Sequence, residues 1–279
     1  MIKLSPKLLL KNIVYPIIKS TPDFLIIGAQ KAGTSSLYNY LKFHPNIFGN
    51  LGFKEVRYFD RSEHYNLGFS WYLSNFPSKL IKGNKLTCDA SPNYLYYDFV
   101  PERIKNDLGE NIKMIAVLRE PVSRAYSAWQ MFHSFENIDN DHLKRFYDNR
   151  NFSEAIQEEL NPDFDYHKYP FRYDYINRGK YAEQIKHYYN YFNKENLLII
   201  NTDDFRQNLA LVLKKVCDFL EINNFSLEDI KKLEVTKYNQ GKYYFQKTDE
   251  DEQMLLFLKD YYQKYNQELY NLLGYSYGW

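Results

Sequence analysis

Phe24-Leu-Ile-Ile-Gly-Ala-Gln-Lys-Ala-Gly-Thr-Ser-Ser36 sets one lysine, two glycines and three hydroxyl residues between an apolar run and a helical repeat. Phe24 to Ile27 has the length and apolarity of a buried strand. Leu37, Tyr40, Leu41 and His44 then recur at helical spacing, so Gly28 to Gly33 is the strand-to-helix turn. The chemistry open to such a turn is anion binding: glycines allow close backbone approach, amides of the first helical turn point outward, and the helix dipole favours negative charge. Lys31 adds a full positive charge. In the ATP/GTP loop, G-x-x-x-x-G-K-[ST], the lysine follows the last glycine, whereas here Lys31 precedes Gly33, and Thr34, Ser35 and Ser36 follow. Taken alone, the same residues are also compatible with a plain Gly-Thr-Ser helix cap.

Arg119-Glu-Pro-Val-Ser-Arg-Ala-Tyr-Ser127 repeats the arrangement, with a cation at the end of the apolar run Ile112 to Leu118 and Ser123 and Ser127 one turn apart on the helix that follows. Pro121 suits the first helical position. Lys54-Glu-Val-Arg-Tyr-Phe-Asp60 lies between the two junctions, as a strand or extended loop with closely spaced charges. As a surface ion pair, Glu55 and Arg57 would contribute under ~1 kcal/mol.

The pattern G-x-x-K-x-G-T-[ST]-[ST] resembles the 5′-phosphosulfate loop of sulfotransferases that use 3′-phosphoadenosine-5′-phosphosulfate (PAPS). The resemblance implies that Lys31, Ala32, Gly33, Thr34, Ser35 and Ser36 bind this cofactor. The family's R-x-P-x-x-R-x-x-S element grips the 3′-phosphate, a role that maps onto Arg119 and Ser127 and leaves Arg124 unassigned. Lys54 to Asp60 is similar to the K-E-x-H-[FY]-F-D segment of the glycosaminoglycan branch, nearest the heparan sulfate 3-O-sulfotransferases, in which the glutamate is the candidate base. The implied catalytic residues are therefore Glu55 and Lys31, with Lys54, Arg57 and Ser91 binding the acceptor. Arg57 stands where the family has histidine and cannot act as a base, because it stays protonated. Asp89-Ala-Ser-Pro-Asn-Tyr94 resembles E-K-S-P-x-Y, with Ala90 at the lysine position. Tyr238-Asn-Gln-Gly-Lys-Tyr-Tyr244 is similar to the K-G-[FY]-[YW]-C cofactor loop. There Gly241 and Lys242 are expected to bind the cofactor, Gln240 takes the lysine position, and Phe245 falls near the disulfide cysteine, so that disulfide is expected to be absent.

These residues require strands that deliver them and helices that follow. Strand runs at Phe24 to Ile27, Lys85 to Cys88, Ile112 to Leu118 and Leu197 to Ile200 alternate with helical patterns. One such pattern carries Tyr181, Ile185, Tyr188 and Tyr189, and another Leu209, Leu213, Val216 and Leu220. Thr248 and Asp251 form a capping-box pair before a last helix bearing Leu255, Leu258, Tyr262 and Leu269. The fold class expected is α/β, a P-loop-type, mostly parallel sheet with helices on both faces in a single domain. Residues 1–21 read as an N-terminal arm and 22–279 as the sulfotransferase domain. Periodicity weakens over 133–172, apart from a short helix that Ser153 would cap, and that stretch is expected to face the acceptor.

With 36 Lys plus Arg against 35 acidic residues, the 279-residue chain carries a formal charge of +1, so no global basic field argues for nucleic acid. Two cysteines, Cys88 and Cys217, in a strand and a helix, make neither a disulfide framework nor a metal cluster, and no metal is expected. The apolar run Leu8 to Ile18 is interrupted by Lys11, Asn12 and Pro16 and is shorter than the ~20 residues that span a bilayer. No integral membrane segment is expected, and the location expected is cytoplasmic, with the arm as a route to peripheral membrane contact. The function expected is sulfuryl transfer from PAPS to a hydroxyl acceptor, a glycan or glycolipid. Two alternatives stay open: a P-loop nucleotide kinase and a noncatalytic carbohydrate-binding protein on the same fold. A kinase calls for an acidic Mg²⁺ ligand at a later strand end, but Arg119 and Asn201 follow the two later strands.

Overall fold

The computed structural model describes residues 13–49, 54–165, 173–236 and 245–279. The elements that position the site are, in chain order, β1 (Phe24–Gly28), α1 (Thr34–Lys42), β2 (Cys88–Asp89), α2 (Val100–Leu108), β3 (Lys113–Leu118), α3 (Pro121–His133), α4 (Phe152–Leu160), α5 (Tyr181–Tyr189), β4 (Leu197–Asn201), α6 (Leu209–Leu220) and α7 (Asp249–Leu273). The sheet order is β2-β1-β3-β4, and every pairing is parallel. All of β1 is buried, as is β3 from Met114 to Leu118. Strands covered on both faces read as continuous apolar runs, which is why these two were visible without alternation. In this order β1 is flanked by β2 and β3, so the connections leave it in opposite directions. Residues just past the carboxyl ends of such strands are where open α/β sheets carry ligand contacts.

The chain forms two compact units. The first comprises Met1–Ala29, Gly33–Leu118 and His187–Tyr238, and the second Gln30–Ala32, Arg119–Lys186 and Asn239–Trp279. Unit one holds the sheet with α1, α2 and α6. Gly28 is required there, because a Cβ at that position would lie 2.5 Å from Leu95 Cβ. Unit two holds α3, α4 and α7, packed through Trp129, Phe132, Phe152, Ile156, Leu258 and Tyr262. Its longest helix, α7, begins with the expected capping box: Thr248 and Asp251 exchange backbone-to-side-chain bonds of 3.1 Å each.

Three local expectations change. The Lys85–Cys88 strand shrinks to Cys88–Asp89, and Leu86 makes only an isolated bridge to Ile47. The cause is Asp23, whose carboxylate accepts from Thr87 N at 2.7 Å and so takes a donor that a longer ladder would use. The short helix α4 is capped by Asn151, not Ser153: Asn151 and Glu154 form a full capping box, and Ser153 is buried inside the first turn. His44 lies beyond the end of α1 and bonds Asn223 O at 2.7 Å. Cys88 and Cys217 are buried and free, and no described helix is long and apolar enough to cross a membrane.

Candidate active site

The first junction leaves β1 at Gly28 and re-enters a helix at Thr34. Lys31 and Gly33 both adopt left-handed backbone conformations, with φ of +67° and +98°. Gly33 is the N-cap of α1 and, having no side chain, makes no side-chain cap bond of its own. At a helix N-terminus the backbone amides and the dipole together can take an external anion. Thr34 is buried, and Ser35 and Ser36 are half-buried.

In unit one, α1 is tied to the Lys54–Asp60 segment, which is an extended stretch followed by a turn rather than a strand. Lys54 Nζ donates to Ser35 Oγ at 2.8 Å, approaches Thr34 Oγ1 at 3.5 Å and pairs with Glu55 Oε1 at 3.3 Å. Glu55 keeps 39% of its side chain exposed, enough for a carboxylate to meet a substrate proton. Arg57 is bonded to Asp60, and the Glu55 charge adds a further electrostatic attraction. Its guanidinium makes two bonds to buried Asp60 Oδ2, at 2.9 and 2.6 Å, and its backbone is left-handed at φ +56°. Burial would lower the Arg57 pKa, but Asp60 outweighs it and the net shift is upward, so the side chain stays cationic.

Without a β-ladder, this segment is held by Asp89. The carboxylate is fully buried and accepts from Ser91 Oγ at 2.7 Å, Tyr94 OH at 2.7 Å, Tyr72 OH at 3.3 Å and Val56 N at 3.4 Å. Ser91 Oγ in turn accepts from Arg57 N at 3.0 Å, and Tyr94 OH from Tyr58 N at 3.0 Å. Burial pushes the Asp89 pKa up to about 6, against the hydrogen bonds from Tyr94, Ser91 and Val56. Ser91, expected to bind the acceptor, is itself fully buried and serves as a relay between Asp89 and the Arg57 amide. The Asp-Ala-Ser-Pro-Asn-Tyr string carried this information in its spacing, but only the fold shows Asp89 to be the hub.

The second junction, in unit two, gathers cations. Arg119 Nη1 donates to Lys31 O at 3.2 Å, and Tyr181 OH donates to Arg119 O at 2.8 Å. Lys31 has its pKa lowered to about 8, chiefly by burial and then by the positive charges of Arg119 and Arg124. Arg124, unassigned from sequence, is fully buried and donates through Nη2 to Tyr175 O, while its Nε and Nη1 have no hydrogen-bond partner. Its acceptor is braced: buried Glu159 accepts from Tyr175 N at 2.8 Å and Ile176 N at 2.9 Å, and Tyr262 OH donates to Ile176 O at 2.7 Å. A lysine whose protonation is depressed by burial and by two neighbouring arginines, together with the unpartnered buried N–H groups of Arg124, fits an anionic ligand. On α3, Ser127 is half-buried and Ser123 exposed. Gly241 and Lys242 lie outside the described residues.

The sequence matches the sulfotransferase domain family over residues 21–268. The chain belongs to the PAPS-dependent sulfotransferase family. It is 31% identical over 278 residues to the bifunctional heparan sulfate N-deacetylase/N-sulfotransferase 4 of Mus musculus, covering 90% of this chain and 30% of that protein. Its identity to the Homo sapiens protein numbered 3 in the same series is also 31%, over 275 residues, with the same two coverages. The chain thus spans about three tenths of the length of these relatives. Among solved structures, a sulfotransferase from Alicyclobacillus acidocaldarius superposes with a TM-score of 0.66 at 24% identity, covering 92% of this chain and 97% of that one. A mouse sulfotransferase complexed with PAP gives 0.50 at 18% identity, covering 87% and 74%. At these identities the likeness bears on fold, and it agrees with the expected α/β domain, a mostly parallel sheet flanked by helices. The expected placement nearest the 3-O-sulfotransferases needs correction, because these relatives are N-deacetylase/N-sulfotransferases. A seven-residue segment such as Lys54–Asp60 was too short to separate the two branches.

Proposed function

We propose that this chain transfers the sulfuryl group of PAPS to a hydroxyl of a carbohydrate acceptor, a glycan or glycolipid. The observation that carries the reading is the bond from Lys54 Nζ to Ser35 Oγ, which fastens the Lys-Glu pair to the first turn of the helix whose N-terminus has no side-chain cap. Glu55 would accept the acceptor proton, a general-base role of about 10²- to 10⁴-fold. Lys31 would neutralise charge growing on the leaving phosphate, and the Ala32 to Ser36 stretch would bind the same phosphate. Arg119 and Ser127 would hold the 3′-phosphate, with Gly241 and Lys242 completing the cofactor contacts, while Lys54 and Arg57 would orient acceptor and base. Bound PAPS supplies the activated sulfuryl group, and the positioned cations and amides supply the electrostatic stabilisation that group transfer needs.

A second reading has its own observation: relatives named N-sulfotransferases favour a nitrogen acceptor. Transfer of radiolabelled sulfate from PAPS to heparan-type glycans with and without free amines decides between them. Label in the N-acetylated glycan supports the hydroxyl reading, and label only where free amines are present supports the nitrogen reading. No transfer to any acceptor, despite PAP binding, leaves the noncatalytic carbohydrate-binding reading, and Mg²⁺-dependent phosphate transfer from ATP leaves the kinase. In the same assay Glu55→Gln is expected to cut turnover by ~10²- to 10⁴-fold with PAP affinity unchanged. Turnover within a few-fold of wild type removes Glu55 as the base.

A further inference from the structure

Residues 1–22 contain Lys3, Lys7, Lys11 and Lys19 and no acidic residue, and residues 74–88 contain Lys79, Lys82 and Lys85 and none either. In a chain with 36 basic and 35 acidic residues that is a strong local asymmetry. The fold brings the described parts of these stretches together within unit one. Lys19 and Ser78 form an antiparallel bridge, Ser20 N and Oγ both donate to Pro77 O, and Lys79 Nζ donates to Pro16 O at 3.3 Å. Of the lysines described there, Lys82 is paired with Asp23 at 2.7 Å.

Apolar side chains stand out into solvent at the same place. Leu80 is 92% exposed and Ile81 63% on the one-turn helix Lys79–Lys82, and Ile13 and Ile17 are each 65% exposed on the helical residues 13–18. Scattered exposed apolar residues need no explanation, but four on two hydrogen-bonded stretches that carry lysines and no acidic residue do. Aliphatic side chains that enter the acyl boundary beside lysines that meet anionic headgroups are the signature of an interfacial contact. A soluble polyanion would use the lysines and leave the isoleucines and Leu80 unexplained.

We propose that this face docks on an anionic lipid surface, with Ile13, Ile17, Leu80 and Ile81 inserted and the exposed Lys79 and Lys85 at the headgroups. The proposal stands apart from the chemistry of the catalytic residues. Flotation of the full chain with phosphatidylcholine vesicles, with and without phosphatidylserine, tests it. Binding is expected only with phosphatidylserine and is expected to weaken as salt is raised. Leu80→Glu/Ile81→Glu should lower the bound fraction roughly tenfold, and Lys79→Glu/Lys85→Glu should do the same. Both variants should leave the melting temperature and transfer to a soluble acceptor unchanged, since none of these residues belongs to the site. Three results overturn the proposal: no binding to phosphatidylserine vesicles, vesicle binding insensitive to Leu80→Glu/Ile81→Glu, or a concentration-dependent dimer that those changes dissolve without any vesicle binding.

Discussion

The two strand-to-helix junctions use the same plan and finish it differently. At the first, α1 starts from left-handed Gly33 with no side-chain cap. At the second, Glu120 caps α3, and its carboxylate accepts from Val122 N at 2.9 Å and Ser123 N at 2.7 Å. The first helix has an N-cap residue that brings no charge of its own, while the second already holds a carboxylate at its end. On the proposed reading, a phosphate at the second junction would be recognised by the side chains of Arg119 and Ser127 and not by the helix terminus. The lesson is that a cation and hydroxyls beside a helix start do not by themselves make an amide cradle, because the N-cap residue decides whether the amides are already taken.

The largest expected effect breaks this comparison at its functional end. Lys31→Ala should slow single-turnover transfer by ~10²- to 10³-fold, the scale seen when one donor to a developing oxyanion is removed. Arg119→Ala should weaken PAP binding by ~10- to 100-fold and leave the rate at saturation close to wild type, since a contact made equally in ground and transition states changes binding alone. Rapid-quench kinetics alongside PAP titrations separate the two. Equal losses in both parameters for both variants would mean the junctions do not divide the work.

How far the sequence carried these conclusions differs between the same two places. Strands β1 and β3 were legible because they are buried on both faces and so continuously apolar, and α7 because its capping box and apolar stripe agree. β2 was misjudged by a few residues, since a side chain, Asp23, ends the ladder and no periodicity reports that. Lys31, Arg119 and Glu55 were singled out by type and spacing. Arg124 and Asp89 were not understood, because their meaning is burial: a guanidinium with unpartnered N–H groups and a carboxylate with four donors are properties of the packed chain. Ser91, expected to bind the acceptor, is buried between Asp89 and the Arg57 amide. Its neighbours, not its position in a motif, make it an internal relay.

A smaller change sharpens the comparison at the second junction. Glu120→Ala removes the cap of α3 and should destabilise the protein by ~0.5–2 kcal/mol, read as a lower melting temperature. With the carboxylate gone, the helix terminus regains its donors and loses a repulsive charge, so affinity for PAP is expected to hold or rise by a few-fold despite the lost stability. A fall in affinity that parallels the fall in stability would show that Glu120 supports the site rather than merely closing the helix.

The last effect is a pH dependence, and its sign is fixed by Lys31. An ordinary lysine titrates at 10.5, but burial and the charges of Arg119 and Arg124 bring Lys31 down to about 8. Below pH 8 the side chain is a cation, the form that the proposed contact with the ligand anion requires. Above it the free protein holds a neutral amine, so binding must first take up a proton, and affinity should fall by up to ~10-fold per pH unit until the bound-state pKa is passed. The linkage to folding has the opposite sense: a lysine whose pKa is depressed in the native state disfavours folding when charged, so this contribution is unfavourable at neutral pH and is relieved as pH rises through 8 towards the unfolded value. Calorimetric PAP titrations at pH 7 and pH 9, each in two buffers of different ionisation enthalpy, read the proton directly. Uptake near one proton at pH 9 and near none at pH 7 is the expected pair of results. In Lys31→Ala the uptake at pH 9 should vanish, and if it persists the proton belongs to another group and the cation cluster is not what senses the ligand.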